Sequence, residues 1–358
     1  MEDCMFLLYA YTAFLAVVFS IMLYLSLGRY KEEQYEPWLK PNVLVIVPCK
    51  GPDMTLDDNL RSLKAQDYNK YDIVAVVDDW KDLAVPHIKK AGIRSILSGG
   101  GIGSGKVNAI ATAIEKYRGY DLYIIADSDC LMGNDWLRRL IAPLKDKEVG
   151  LATAFPYFMP RGGFWSRVKL VWGFAGQGMM ESRVLRFGWG GSLAFRRGLL
   201  NGNSLKSFRS SLSDDIAITR IVKDRGEKIA YVKEAQPIVY SNDDRKTFLE
   251  WSNRQTSLSV MGDKTVFYSG ITFYLAVIML NLSALAMAIT YSYLYLAFLL
   301  PLVLGTVKNG MRLKSRCNDF VLINTIMPVV FLMNLVAAAR MKRIIWRGQQ
   351  YELKQSAG

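Results

Sequence analysis

Three stretches of this chain are free of charge over lengths that match a membrane: Met5–Leu27, Thr265–Val307 and Phe320–Ala339. At ~1.5 Å per residue the first reaches ~35 Å, enough to cross a hydrocarbon core. It is too long for a cleaved signal peptide, and Met1-Glu2-Asp3 ahead of it is not basic. The second would be ~65 Å as one helix, so it is read as two spans with a turn near Thr290–Tyr293. Tyr291, Tyr293 and Tyr295 suit an aromatic belt there. The third is interrupted by Asn324, Pro328 and Asn334, and is read either as a span or as a re-entrant segment.

Basic residues set the orientation. Arg29 and Lys31 follow the first run, and Lys308, Arg312, Lys314 and Arg316 follow the second. Both place the polar middle of a multi-pass membrane protein in the cytoplasm. The third run conflicts with this. If it spans, Arg340, Lys342, Arg343 and Arg347 fall outside. The predicted organisation is an anchor at 1–28, a linker at 29–41 and a cytosolic domain at 42–264. A transmembrane hairpin at 265–307, a basic loop at 308–319, a third membrane segment at 320–339 and a basic tail at 340–358 follow.

The middle reads as α/β. Val43–Val47, Tyr71–Val77, Arg94–Leu97 and Asp121–Ala126 are apolar runs without polar alternation. Helical patterns stand between them: Leu56, Leu60 and Leu63 behind Thr55, then Val107, Ile110, Ala111 and Ile114. That alternation predicts a mostly parallel sheet covered on both faces, with ligands at the carboxyl ends of its strands. Those ends bear Pro48-Cys49-Lys50-Gly51, Asp78-Asp79 and Asp127-Ser128-Asp129. Phe164–Arg183 has two tryptophans and basic flanks. It is read as a helix in the membrane interface in preference to a core helix.

The net charge of +13 calls for an anionic partner, and beside apolar spans lipid is nearer than nucleic acid. A single histidine, His87, argues against histidine-based metal sites and Ser–His or Cys–His catalysis. The four cysteines are scattered, so no disulfide framework or zinc ribbon is indicated.

Several short strings suggest chemistry. Asp127 and Asp129, one residue apart past a strand, suit a shared hard cation, Mg²⁺ or Mn²⁺; a turn with a helix cap is the bland alternative. Asp78 and Asp79 suit the donors of a nucleotide base or ribose, or are solvated turn acids. Gly99–Val107 resembles a phosphate-binding P-loop, with Gly100 and Gly105-Lys106 at the right spacing, but Val107 stands where Ser or Thr is required. A Gly-rich loop with a lysine before a helix attracts phosphate in either case. Ser213-Asp214-Asp215 opens a helix; one acid can cap it while the other acts as a general base. Arg254, in Trp251-Ser252-Asn253-Arg254-Gln255, is placed to neutralise a leaving phosphate or to meet lipid headgroups.

Taken in order, Pro48–Gly51, Asp78-Asp79, Gly105-Lys106, Asp127-Ser128-Asp129, Gly190-Gly191-Ser192, Asp214-Asp215 and Arg254 resemble the family 2 glycosyltransferases of GT-A fold. The ceramide glucosyltransferase branch is the most similar, and the likeness runs from the anchor to the tail Trp346-Arg347-Gly348-Gln349-Gln350-Tyr351. The resemblance implies a nucleotide-sugar donor, most simply of uridine, held by Pro48, Lys50, Asp78, Asp79, Lys106, Asp127, Arg254 and Gln255. It implies Mg²⁺ or Mn²⁺ on Asp127 and Asp129. It makes Asp215 the base, with Asp214 and Arg254 beside it. Gly191, Ser192 and Trp251 would line the acceptor side, with Phe195-Arg196-Arg197 beyond. The family's Gln/Arg-x-x-Arg-Trp string departs here: Trp251 holds its first position and Gln255 replaces its tryptophan. That departure bears on acceptor stacking and polymer synthesis. A single displacement with inversion onto a lipid hydroxyl is the favoured activity. A processive polysaccharide synthase, a membrane-associated P-loop-like NTPase and a non-catalytic scaffold are the rivals. Oligomeric state is not read from the sequence.

Overall fold

The apolar run Val43–Pro48 (β1) has no polar face because both of its faces are covered. Val43, Val45 and Val47 point into one hydrophobic core, and Leu44 and Ile46 into another on the far side of the sheet. The computed structural model describes residues 2–28, 30–346 and 349–352. Arg29, Arg347 and Gly348, which entered the reading of orientation and tail, lie outside the described residues.

Tyr71–Val77 (β2) and Arg94–Leu97 (β3) extend the sheet from one edge of β1, and Leu122–Ala126 (β4) pairs with its other edge, all parallel. Cys130–Leu131 (β5), Tyr157–Pro160 (β7) and Ile238–Ser241 (β10) form a small second sheet. Val149–Thr153 (β6), Ser192–Arg196 (β8) and Lys228–Tyr231 (β9) complete the main sheet, whose order is β3-β2-β1-β4-β8-β6-β9. β8 enters antiparallel to both neighbours, with Ser192 opposite Ala126 and Arg196 opposite Leu122. This mixed α/β sheet, mostly parallel, matches the expected fold class.

Antiparallel β8 corrects one expectation. Ser192 lies at the carboxyl edge of β4, but Phe195, Arg196 and Arg197 run toward the opposite edge. At ~3.3 Å per residue they end about 13 Å from it. Phe195 is fully buried, Arg196 binds the carbonyls of Val149 and Leu144, and Arg197 binds that of Arg118. None of the three extends the acceptor side.

The helix Phe164–Glu181 corrects a second. It has no exposed residue. Val168, Leu170, Val171 and Phe174 pack with Tyr157, Phe248, Phe320 and Met327. It is a core helix, because the helices Arg245–Gly262 and Phe320–Arg340 cover the side expected to meet lipid.

Among the described residues, four helices are long and apolar enough to cross a membrane: Phe6–Leu27, Thr265–Thr290, Tyr293–Gly310 and Phe320–Arg340. The first three bundle together: Leu15, Val18 and Met22 of the first pack on Leu280 and Met287 of the second, and Tyr295 and Phe298 of the third pack against them. Tyr11 bonds Ser283, and Lys308 Nζ donates to the carbonyl of Gly28 at 2.6 Å. The stretch between the first helix and β1 is strapped down. Tyr30, Tyr35 and Trp38 pack on the core, and Glu33 pairs with the buried Arg186 at 3.2 Å.

Candidate active site

β1, β2 and β4 end side by side, and their acids meet there. After β1 the chain turns at Gly51, whose φ of +70° suits a residue without a Cβ. Its N–H donates to Asp82 at 2.9 Å, and Lys50 Nζ pairs with Asp78 at 3.1 Å. Asp79 accepts from the N–H of Lys81. Pro48 ends β1 beside Val76. Lys50, Asp78 and Asp79 thus share one rim, as expected.

Ser128 explains how the two acids flanking it are aimed. It is buried, its hydroxyl donates to Asp53, and its carbonyl accepts from Asn59 at 2.8 Å. With the middle residue clamped, Asp127 and Asp129 diverge from a fixed point. Asp127 Oδ1 lies 2.7 Å from Lys106 Nζ. Asp129 Oδ1 accepts from Cys130.

Lys106 begins the helix Gly105–Lys116, capped by Ser104, whose hydroxyl accepts from Val107. Its ammonium also lies 3.1 Å from Asp214 Oδ2 and 3.3 Å from the Gly190 carbonyl. One cation therefore joins the end of β4, the turn before β8 and the start of the helix Asp214–Asp224. Gly190 must lack a side chain: a Cβ there would sit 2.4 Å from Asp214 Oδ2 and 2.8 Å from Lys106 Nζ. Burial alone would pull the Lys106 ammonium down, but Asp127, Asp214 and Asp215 hold it above the usual lysine range. Burial first, then the charges of Asp129 and Asp214, raise the Asp127 carboxyl to about 7 against the opposing pull of Lys106.

The adjacent acids divide their tasks. Asp214 is buried and turned to Lys106. Asp215 is half-buried, and its Oδ1 accepts from Ser213 Oγ and the Ile216 N–H. Burial, then the charge of Asp214, raises its carboxyl above the usual aspartate range.

On the expected acceptor side, Gly191 is buried under the ring of Trp189. Ser192 has no exposed surface and its hydroxyl accepts from Trp136 Nε1 at 2.8 Å. Its side chain is a strut, so the expected acceptor contact is corrected there. Trp251 is half-buried between Phe158 and Trp172, with Lys169 Nζ 4.5 Å from its ring centre. Arg254 and Gln255 stand one turn further along the same helix, both half-buried.

Sequence reasoning missed several neighbours. Trp189 stands on the Gly188–Ser192 turn. Lys169 and Asp243 form a buried ion pair at 3.2 Å that feels the charges of Asp129 and Arg254. Near the other end of the chain, the paired strands Arg343–Trp346 and Gln349–Glu352 return to the α/β domain, where Tyr351 Oη accepts from the Gly105 N–H at 3.3 Å. A tryptophan between glycines was the one local signal available; the other pairs join residues far apart in the chain.

Residues 8–357 match the profile of glycosyl transferase family 21. The chain belongs to this family. This family 21 chain is 36% identical over 120 residues to an N-acetylglucosaminyltransferase of Bradyrhizobium elkanii, covering 31% of this chain and 64% of that protein. It thus spans less than two thirds of that relative. A mannosyltransferase of Pyrobaculum calidifontis, solved in complex with GDP-Man and Mn²⁺, superposes with a TM-score of 0.57 at 17% identity, covering 94% of this chain and 96% of that one. That likeness shows the GT-A fold. A glucosyl-3-phosphoglycerate synthase of Mycobacterium tuberculosis, solved with Mn²⁺ and UDP-Glc, has a TM-score of 0.41 at 15% identity, over 68% and 82% of the two chains. The matching family is one of glycosyl transferases and not of P-loop NTPases or scaffolds.

Proposed function

We propose that this family 21 glycosyltransferase moves a sugar from a nucleotide-sugar donor to a hydroxyl of a lipid acceptor, with inversion. The observation that supports this best is the cluster in which Lys106 joins Asp127 and Asp214 at the carboxyl edge of the sheet, with Asp215 beside it. It combines hard oxygen donors, a fixed cation and a carboxylate suited to act as a base, on a domain fused to apolar helices. The Pyrobaculum mannosyltransferase, of like fold, was solved with a nucleotide sugar and Mn²⁺.

Asp127 and Asp129 suit Mg²⁺ or Mn²⁺, which prefer oxygen ligands. Among the described residues no group of three or more His, Cys, Asp or Glu is placed to hold a metal. The chain therefore offers two carboxylates, and diphosphate oxygens are the natural complement. When bound, the cation supplies positive charge to the departing diphosphate.

The remaining work falls to side chains. Pro48, Lys50, Asp78 and Asp79 hold the nucleotide, with a uridine nucleotide the first to try. Lys106 and Arg254 stabilise the leaving diphosphate, with Gln255 beside it. Asp215 takes the proton from the acceptor hydroxyl. That oxygen forms its bond to the anomeric carbon as the carbon–phosphate oxygen bond breaks, and the diphosphate leaves with the electron pair. Gly191, Trp189 and Trp251 border the acceptor side.

The lipid acceptor rests on the apolar helices beside the site. The domain lies on the cytoplasmic side, as the basic residues Lys31, Lys308 and Arg312 at the helix ends support. The test offers UDP-glucose, UDP-galactose, UDP-N-acetylglucosamine and GDP-mannose to purified protein with Mg²⁺ or Mn²⁺, with and without lipid extract. Lipid-dependent nucleotide release that disappears in Asp215→Asn supports the reading. Labelled polymer made without lipid would replace it with a polysaccharide synthase.

A further inference from the structure

The helix Phe320–Arg340 is apolar and long enough to cross a membrane, yet one side of it packs on helices of the α/β domain from Phe320 to Asn334. At its start, Asp319 pairs with Arg167 at 2.6 Å, and Phe320 is buried with Tyr157 and Val168. Further on, the fully buried Asn334 accepts from Trp172 Nε1 at 3.1 Å and donates to Ser252 and Asn253 at 3.0 and 2.7 Å. Just past its end, Met341 Sδ accepts from Ser257 at 3.2 Å. The chain then reaches Gly105 through Tyr351. A crossing helix would separate its ends by ~30 Å of hydrocarbon. Here both ends rest on one domain.

Its direction agrees. Phe331 stacks on Tyr274 at 4.9 Å, and Leu335 closes on Gly270. The start of the helix meets the domain-side end of Tyr293–Gly310 through Asn324, Asn309 and Thr306, and its last turns meet the start of Thr265–Thr290, so it bridges the domain-side ends of the two. The opposite face is a single stripe. Val321, Leu322, Val329, Met333 and Val336 are 38–62% exposed and lie on one side of the helix. Arg340 and Lys342 are exposed just beyond.

We propose that Phe320–Arg340 does not cross the membrane but lies in the plane of its catalytic-side surface, with this stripe seated at the acyl–headgroup boundary of an anionic bilayer. Three helices then cross rather than four. Arg340 and Lys342 fall on the same side as Lys308 and Lys31, where anionic lipid attracts them. The conflict between the apolar run and the charge after it disappears. The inference rests only on the first three apolar helices crossing, and is independent of donor and acceptor.

The test uses full-length protein in sealed phosphatidylcholine–phosphatidylglycerol vesicles, with Cys4 and Cys317 replaced by Ser. Spin labels are placed singly at Leu322→Cys, Val329→Cys and Val336→Cys, with Val17→Cys on the first helix as the reference. The three labels should report one shared depth, ~5–10 Å below the headgroups, while Val17→Cys reports the bilayer centre. A C-terminal tag should be digested together with the catalytic domain by protease on one side. Three depths running through the hydrocarbon, or a tag on the side opposite the domain, would overturn the proposal. So would labels in water with Val17→Cys in lipid. If Val17→Cys also lies in water, the membrane reading itself fails with it.

Discussion

Lys106 Nζ lies 2.7 Å from Asp127 Oδ1, so the lysine expected at the donor diphosphate already touches the acid expected at the metal. Asp214, 3.1 Å away, completes the unit, and the side chains of Lys106 and Asp214 are only 10% and 8% exposed. Removing the ammonium leaves the buried Asp214 carboxylate unpaired beside the half-buried Asp127, at a cost of about 3–5 kcal/mol. Lys106→Met should lower the thermal unfolding temperature in detergent and abolish turnover. Adding Asp127→Leu and Asp214→Leu should recover stability but not activity.

Asp215 is predicted to act on the acceptor rather than on the fold. Asp215→Asn should reduce kcat by ~10²–10⁴ with little change in donor KM or unfolding temperature. A base works only when ionised, and burial followed by Asp214 raises this carboxyl above its ordinary range. The wild-type kcat/KM, which reports the free enzyme, should therefore decline on lowering pH through that raised value, before an ordinary aspartate at ~3.9 would titrate. A kcat/KM–pH profile with its acid limb at the ordinary position would assign the base elsewhere.

Gly190 is predicted to be intolerant of even one methyl. A Cβ would press on Asp214 and Lys106, and a displacement of ~1 Å near reacting groups can cost ~10²-fold. Gly190→Ala should lose about that much in kcat while staying folded. Gly178→Ala, where a Cβ meets open space, should keep full activity. Steady-state kinetics and circular dichroism on the two variants separate the effects.

Tyr351 should hold the C-terminal hairpin against the Gly-rich loop. Its bond to the Gly105 N–H contributes about 0.5–1.5 kcal/mol. Tyr351→Phe should raise deuterium uptake across 343–352 by roughly 2–10-fold, leaving the sheet unchanged. Unaltered exchange would mean that other contacts hold the hairpin.

How much of this was legible follows from what each pattern measures. Val43–Val47 and Asp121–Ala126 read as strands because burial on both faces leaves no polar alternation, and the pairing of the strands bears this out. Asp127-Ser128-Asp129 read as a carboxylate pair because it stands at a strand end. The clamp of Asp53 and Asn59 on Ser128, which aims the pair, joins residues some 70 positions apart and leaves no local trace. Hydropathy does not distinguish lipid from protein as the apolar neighbour. Phe164–Arg183 was therefore read as interfacial although other helices cover it. Ser192 and Arg196 looked like neighbours of one site, but an antiparallel strand carries them to opposite edges of the sheet.

The most direct test of the central claim is nucleotide release from radiolabelled sugar donors by purified wild type, Asp127→Asn and Asp215→Asn, with a divalent cation, in the presence and absence of lipid extract. The account predicts that wild type releases nucleotide only when lipid is present and labels a lipid product. Both variants should fall by ~10² or more while remaining folded. Equal lipid-dependent turnover in wild type and Asp215→Asn would contradict it.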